Sequence, residues 1–362
     1  SWISFGNAVF MSWSRLAMET DSFLPTPRSS RIQLATDLQI CRALNGMWQV
    51  SGAHGHIDPE KAVESMFSYL DAGFTTWDLA DHYGPAEDFI GEFRRRLADR
   101  RGSDATAGIQ AFTKWVTNPG PMARSWVEEN IDRSLRRMDV ASLDLLQFHW
   151  WDYGDERYLK AMGHLGELRD EGKIRYLGLT NFDTQHLQKI VDEGHQVVSN
   201  QVQYSLIDRR PEIKMAQYCQ NQGIHLLAYG TLAGGLLSDR YLGQPEPGRA
   251  ALTTASLSKY KQMVDAWGGW DLLQELLLGL KGIADRHQVS IADVAMRYIM
   301  DRPSVAGVIV GVRLGVAEHL EDNAQVFGFE LDPEDLDEIE SVLSRSRDLY
   351  QAIGDCGDEY RR

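Results

Sequence analysis

Residues 71–80 read DAGFTTWDLA, residues 170–179 read DEGKIRYLGL and residues 221–230 read NQGIHLLAYG. Each stretch closes a polar, helix-like run, places a glycine (Gly73, Gly172, Gly223) and then turns apolar and β-prone. Helices commonly end on a residue in the left-handed conformation, which glycine adopts without strain, so the grammar reads helix, stop, strand. Working outward, the same alternation gives eight strand candidates, at residues 39–48, 74–79, 109–115, 143–149, 174–180, 197–203, 224–229 and 305–310. Between them lie amphipathic segments such as 59–72, 124–138, 157–171 and 211–222, several entered by Asp or Pro. Strands separated by crossover helices make a parallel sheet. Eight such units close most simply into an α/β fold of the (β/α)8 TIM-barrel kind, with an open doubly wound sheet as the alternative.

The barrel is expected over residues 37–350 as a single domain, between an N-terminal extension, 1–36, and a C-terminal tail, 351–362. Two segments break the repeat. Residues 231–270 form a long Gly-rich loop after strand 7, and the stretch after Asp332 reads as a helix through about Leu349 before a polar terminus. Long loops at barrel strand ends commonly cover functional sites.

The 362 residues are 43% hydrophobic and 25% charged, enough apolar material for a large core. Lys and Arg total 37 against 52 Asp and Glu, a formal net charge of -15. Such a surface repels nucleic acid and anionic membrane, so neither is expected as a partner. Cys41, Cys219 and Cys356 lie far apart without CxxC spacing, which argues against a disulfide framework or a zinc ribbon and for a reducing compartment. No apolar run of about 18 residues suggests a spanning helix. The first 30 residues carry aromatic and Ser residues with two acids, Glu19 and Asp21. They read either as the remnant of an organelle-targeting segment or as a plain extension. A soluble protein of the cytoplasm, or of an organelle stroma or matrix, is the expectation.

Barrel enzymes place reactive groups at the C-terminal ends of strands. Asp78 ends the second strand candidate, Tyr83 follows in its loop, Lys114 ends the third and His149 ends the fourth. Taken singly these are ordinary: a Lys at a strand end is commonly a solvated cation, and Tyr83 before Gly84 reads as a turn aromatic. Together they suit carbonyl reduction, because hydride arriving at the carbonyl carbon leaves an alkoxide that needs a proton. An ammonium at Lys114 would favour phenolate at Tyr83 and so strengthen the phenol as an acid. Asp78 would keep that amine charged and aimed, and His149 would hydrogen-bond the carbonyl oxygen. Trp48, Trp115, Trp150 and Trp151 fall near strand ends, where they either line an apolar substrate pocket or pack in the core.

Over roughly residues 39–345 the chain resembles the aldo-keto reductase superfamily. The stretches FTTWDLADHYGPAE, FTKW and LDLLQFHW carry the family's Asp, Tyr, Lys, His tetrad in its order. The resemblance implies NADPH as cofactor, held by strand-end loops. LGLTNF and NQVQY then offer Thr180, Asn181 and Gln201 to the nicotinamide carboxamide, and Tyr229 stacks on the ring. GTLAGGLLSDRY, with Gly230, Leu232 and Gly234, resembles the pyrophosphate loop. GVRLGVAEHLEDN resembles the loop gripping the adenosine end through Gly311, Arg313, Asp322 and Asn323. A guanidinium forks onto phosphate oxygens, so Arg313 is the expected partner of a 2'-phosphate. Leu79 stands where the family often has Thr, and Gly230-Thr231 where Ser-Pro is common, departures that bear on fine cofactor geometry.

The implied activity is NADPH-dependent reduction of a small aldehyde or ketone, with Tyr83 as proton donor. Two alternatives remain. A cofactor-binding regulatory or interaction subunit would share the fold with little turnover. His54 and His56 form an HxH, as in metal-dependent barrel hydrolases, but later strands end in Thr180, Asn181, Gln201 and Gly311 and supply no further ligands. A Rossmann dehydrogenase is disfavoured because no GxGxxG opens a helix after a strand.

Overall fold

The computed structural model describes residues 30–52, 57–316 and 320–361. Most of the expected N-terminal extension, and His54 and His56, lie outside the described residues.

Two strands, β1 (Arg31–Ala35) and β2 (Leu38–Cys41), pair antiparallel as a hairpin ahead of the barrel. The barrel strands are β3 (Ala43–Gly46), β4 (Thr76–Asp78), β5 (Gln110–Val116), β6 (Leu143–His149), β7 (Ile174–Thr180), β8 (Ser199–Gln203), β9 (His225–Tyr229) and β10 (Val305–Gly311). All eight pair in parallel with their sequence neighbours, and β10 closes onto β3. The fold is the expected (β/α)8 barrel. Among the helices that cross between strands are α1 (Pro59–Asp71), α2 (Ala86–Arg101), α3 (Arg124–Met138), α4 (Arg157–Asp170), α5 (Thr184–Asp192) and α6 (Met215–Gln222). The glycine stops behave as read: Gly73, Gly172 and Gly223 take φ of 89°, 85° and 67°.

The candidate strand at 39–48 divides in three. Its beginning belongs to β2, its middle is β3, and Met47–Ser51 turns as a 3-10 helix. Of the hairpin, β1 lies within residues 1–36 and β2 within residues 37–350. Hairpin residues Leu34, Leu38 and Ile40 pack on the inward-facing Leu44, Phe112, Leu145, Leu227 and Ala306, closing the N-terminal end of the barrel with an apolar plug. A second, larger core lies between the strands and the helical ring.

The segment expected as a long loop carries α7 (Ala255–Trp267), capped by the Thr254 side chain, and α8 (Trp270–His287) and α9 (Ile291–Met300) follow. Beyond the short α10 (Leu320–Gln325), Pro333 and the Asp332/Asp335 capping box start α11 (Pro333–Leu343). The chain then makes α12 (Leu349–Ile353) and returns to the barrel mouth. The polar terminus is thus packed structure: Cys356 is buried, and Tyr360 lines the cleft at the mouth. Among the described residues, no helix is long and apolar enough to cross a membrane.

Candidate active site

Strand alternation selects which side chains reach the barrel interior. On β5, Phe112, Lys114 and Val116 point inward; on β6, Leu145, Gln147 and His149 do. Apolar residues fill the lower layer and a polar layer lies above it. Lys114 Nζ donates to Asp78 Oδ2 at 2.6 Å and to the Leu79 carbonyl at 2.7 Å. Asp78 Oδ1 accepts from Gln147 Nε2 at 3.0 Å and from Gln201 Nε2 at 2.7 Å. Both ions are only 3% exposed; the carboxylate accepts from three donors and the ammonium donates to two acceptors, which offsets the cost of burying the pair.

Above this layer opens a cleft of about 970 Å³, within the size range of small-ligand sites. Asp78, Tyr83, Lys114 and His149 all line it, as do Trp48, Thr180, Asn181, Gln201, Tyr229, Gly230, Leu232, Gly234, Gly311 and Arg313. Asp322 and Asn323, on α10, do not line it. Trp115 and Trp150, expected in a substrate pocket, also stay out. They are the outward neighbours of inward-pointing Lys114 and His149, and both pack on Phe148 behind the strands. Trp151 does line the cleft, edge-on to His149 at 4.4 Å between ring centroids. Sequence reasoning missed Lys259 and Tyr260 on α7 and Tyr360 in the terminal segment, which also line it.

The Lys114 ammonium sits 4.7 Å from the Tyr83 ring centroid. Burial pushes the Tyr83 phenol above its usual range, Lys114 pulls it back, and Asp78 pushes it up again. The expected strengthening by the ammonium is present but outweighed, so Tyr83 rests as a neutral phenol holding its proton. For Lys114, burial opposes the charge, yet Asp78 and Tyr83 together raise its pKa, and it remains an ammonium.

His149 Nδ1 lies 3.1 Å from the Thr180 carbonyl oxygen. A carbonyl can only accept, so Nδ1 carries the hydrogen. Nε2, buried and without a partner among the described residues, then bears a lone pair. Burial, helped by the Arg361 charge, lowers this imidazole to about 4. The neutral ring therefore accepts at Nε2, and the expected donation to a carbonyl oxygen is not open to it in this tautomer. A pH dependence of stability follows. Below pH 6.5 the unfolded chain protonates at this position while the folded one does not until about 4, so stability falls as pH drops through that window. Urea unfolding should show wild type losing about 2 kcal/mol more than His149→Gln between pH 6.5 and 4.5. Parallel profiles for the two proteins would contradict the buried neutral ring.

The terminal segment is tied across the mouth. Arg210, itself held bidentate by Asp208 at 2.8 Å, donates to the Asp355 carbonyl at 3.0 Å and to Glu359 at 2.9 Å. Arg361 donates to the Trp150 carbonyl at 2.9 Å and stacks 4.1 Å over the Tyr153 ring.

Comparison with known proteins identifies the family and the fold. The sequence pattern of the Aldo/keto reductase family matches residues 44–344. The aldo-keto reductase YhdN of Bacillus subtilis is 26% identical over 324 residues, covering 86% of this chain and 92% of that protein. Flagellar radial spoke protein 5 of Chlamydomonas reinhardtii is 30% identical over 262 residues, 61% of this chain, and the match spans 49% of its length. A solved glycerol dehydrogenase from Gluconobacter oxydans shares the fold, with a TM-score of 0.72 and 22% identity over 88% of this chain and 96% of that one.

Proposed function

The chain belongs to the aldo/keto reductase family, and on that premise we propose that it reduces an aldehyde or ketone to the alcohol using NADPH, with Tyr83 as proton donor. The family supports an oxidoreductase acting on carbonyl groups; the cofactor and the roles of single residues are our reading. The observation that carries it is the buried Asp78–Lys114 pair beside a phenol that keeps its proton, at the floor of a ligand-sized cleft.

The residues present fit a nicotinamide dinucleotide. The Thr231 hydroxyl is buried and has no partner among the described residues. Its neighbours Ala233, Gly234 and Gly235 take positive φ of 49°, 66° and 95°, a backbone form suited to cradling phosphate. Asn181 and Gln201 would hold the carboxamide, Tyr229 the ring, and Arg313 a 2'-phosphate. When bound, the cofactor supplies the hydride. Tyr83 then delivers its proton to the substrate oxygen, and the adjacent Lys114 ammonium stabilises the phenolate left behind. Nε2 of His149 would accept from the hydroxyl of the alcohol product, and Trp48 and Trp151 would give the substrate apolar walls.

Arg313→Ala is expected to weaken NADPH about 10- to 100-fold, the worth of a charge-assisted bidentate contact, while changing NADH little. Titration of both by fluorescence quenching checks this, and equal losses would remove the 2'-phosphate role. The radial spoke relative favours one second reading, a cofactor-binding subunit of a larger assembly. Tight NADPH binding with no turnover across a broad panel of aldehydes and ketones would select it.

A further inference from the structure

Two hydrogen-bond chains, begun by opposite charges, converge on Asn181 and Gln201. The first starts at Lys259. Its ammonium donates to the Tyr360 oxygen at 2.5 Å and lies 4.7 Å from that ring and 5.4 Å from the Tyr229 and Tyr260 rings. Glu359, within electrostatic reach of Lys259, is already engaged by Arg210. An ammonium has only hydrogens to offer, so the Tyr360 oxygen accepts from it. The Tyr360 hydrogen then has the Tyr229 oxygen, 3.0 Å away, as its acceptor. The Tyr229 hydrogen in turn goes to Asn181 Oδ1 at 2.8 Å. In the reverse direction the Tyr360 oxygen would accept from both Lys259 and Tyr229, and its own hydrogen would have no partner among the described residues. Asn181 is thereby held with Oδ1 inward and its Nδ2 donor toward the cleft.

The second chain starts at Asp78. Its carboxylate can only accept, so both amides that reach Oδ1, those of Gln147 and Gln201, must present nitrogen there. Gln201 Nε2 also donates to Gln147 Oε1 at 2.8 Å, which uses both of its hydrogens. Only Gln201 Oε1 remains for the cleft.

A carboxamide needs one donor for its carbonyl and one acceptor for its amine, and the two chains present that pair. We propose that Lys259 and Tyr360 are positioning residues that fix Asn181, through Tyr229, as the donor reading the carboxamide carbonyl, while Asp78 and Gln147 fix Gln201 as the acceptor reading its amine. This rests on the nicotinamide reading above. The terminal segment is seated for the role: Gly357, at φ 86°, packs so closely that a Cβ there would lie 2.1 Å from the Asn181 carbonyl oxygen.

The test uses the full chain and binding alone, with three dinucleotides: NADP+, its thionicotinamide analogue, whose sulfur is a poor acceptor, and its 3-acetylpyridine analogue, which keeps the carbonyl but lacks the amine. In Tyr360→Phe and in Lys259→Met, the preference for NADP+ over the thio analogue should fall about fivefold, the worth of one neutral hydrogen bond. The preference over the acetylpyridine analogue should hold, because Asp78 still anchors Gln201. Lys259→Arg should restore the wild-type pattern. Equal loss of affinity for all three dinucleotides would mean that the segment only supports the fold, and unchanged preferences would mean that Asn181 is not oriented this way; either overturns the proposal. Failure of the wild type to bind any of the three would instead overturn the nicotinamide reading itself, and this inference with it.

Discussion

Tyr83→Phe is expected to lower the rate of carbonyl reduction by about three orders of magnitude, within the range attributed to a positioned general acid. The substitution removes one oxygen from a part-buried ring whose other contacts, edge-on to Trp48 at 5.0 Å and against Lys114, are made by its face and edge. The ring should stay in place, so NADPH affinity by fluorescence quenching should change less than about threefold. Burial holds the phenol above its normal range, so the wild-type rate should not fall through loss of this proton until well into alkaline pH. A Phe variant that keeps more than a tenth of wild-type turnover would remove Tyr83 from the role.

The second large effect concerns stability. Arg210 is 2% exposed and Asp208 is fully buried, and the same guanidinium ties residues 355 and 359 of the terminal segment to the barrel. Arg210→Met strands the Asp208 carboxylate in the interior, which costs about 3–5 kcal/mol when one partner of a buried pair is lost. Urea unfolding should show that loss, and proteolysis should begin at the terminal segment. The double variant Asp208→Asn/Arg210→Met should recover part of the stability, because the fully buried Asp208 carboxylate is no longer left without its partner, while Glu359 still loses its contact with Arg210. Equal stabilities for the single and double variants would mean that the stranded Asp208 carboxylate is not the source of the loss.

The barrel was legible because its signals are local. A glycine stop followed by an apolar run recurs at Gly73, Gly172 and Gly223, so β7 lies at the residues read from sequence, and the apolar run after α3 places β6 in the same way although that helix ends on Asp139. The places of Asp78, Lys114 and His149 on their strands, and of Tyr83 in the loop after β4, were legible for the same reason. The tryptophans were half legible: once Lys114 and His149 are assigned inward, alternation sends Trp115 and Trp150 outward, a constraint the sequence reading did not apply. What it could not reach depends on distant contacts. Residues 31–41 alternate weakly, and their role appears only when Leu34 and Ile40 meet Leu145 and Leu227 across the barrel floor. Lys259 and Tyr360, 101 residues apart, sit in segments without a periodic pattern, and only the folded chain brings them to Tyr229.

The hairpin of Arg31–Cys41 makes the barrel a vessel with one doorway. Reactants and products must share that opening, and whatever lies against the floor at Gln201 is trapped until the molecule above it departs. Turnover should therefore follow a compulsory order, dinucleotide first in and last out, and an inert carbonyl mimic lodged near Trp48 should slow the escape of the spent dinucleotide.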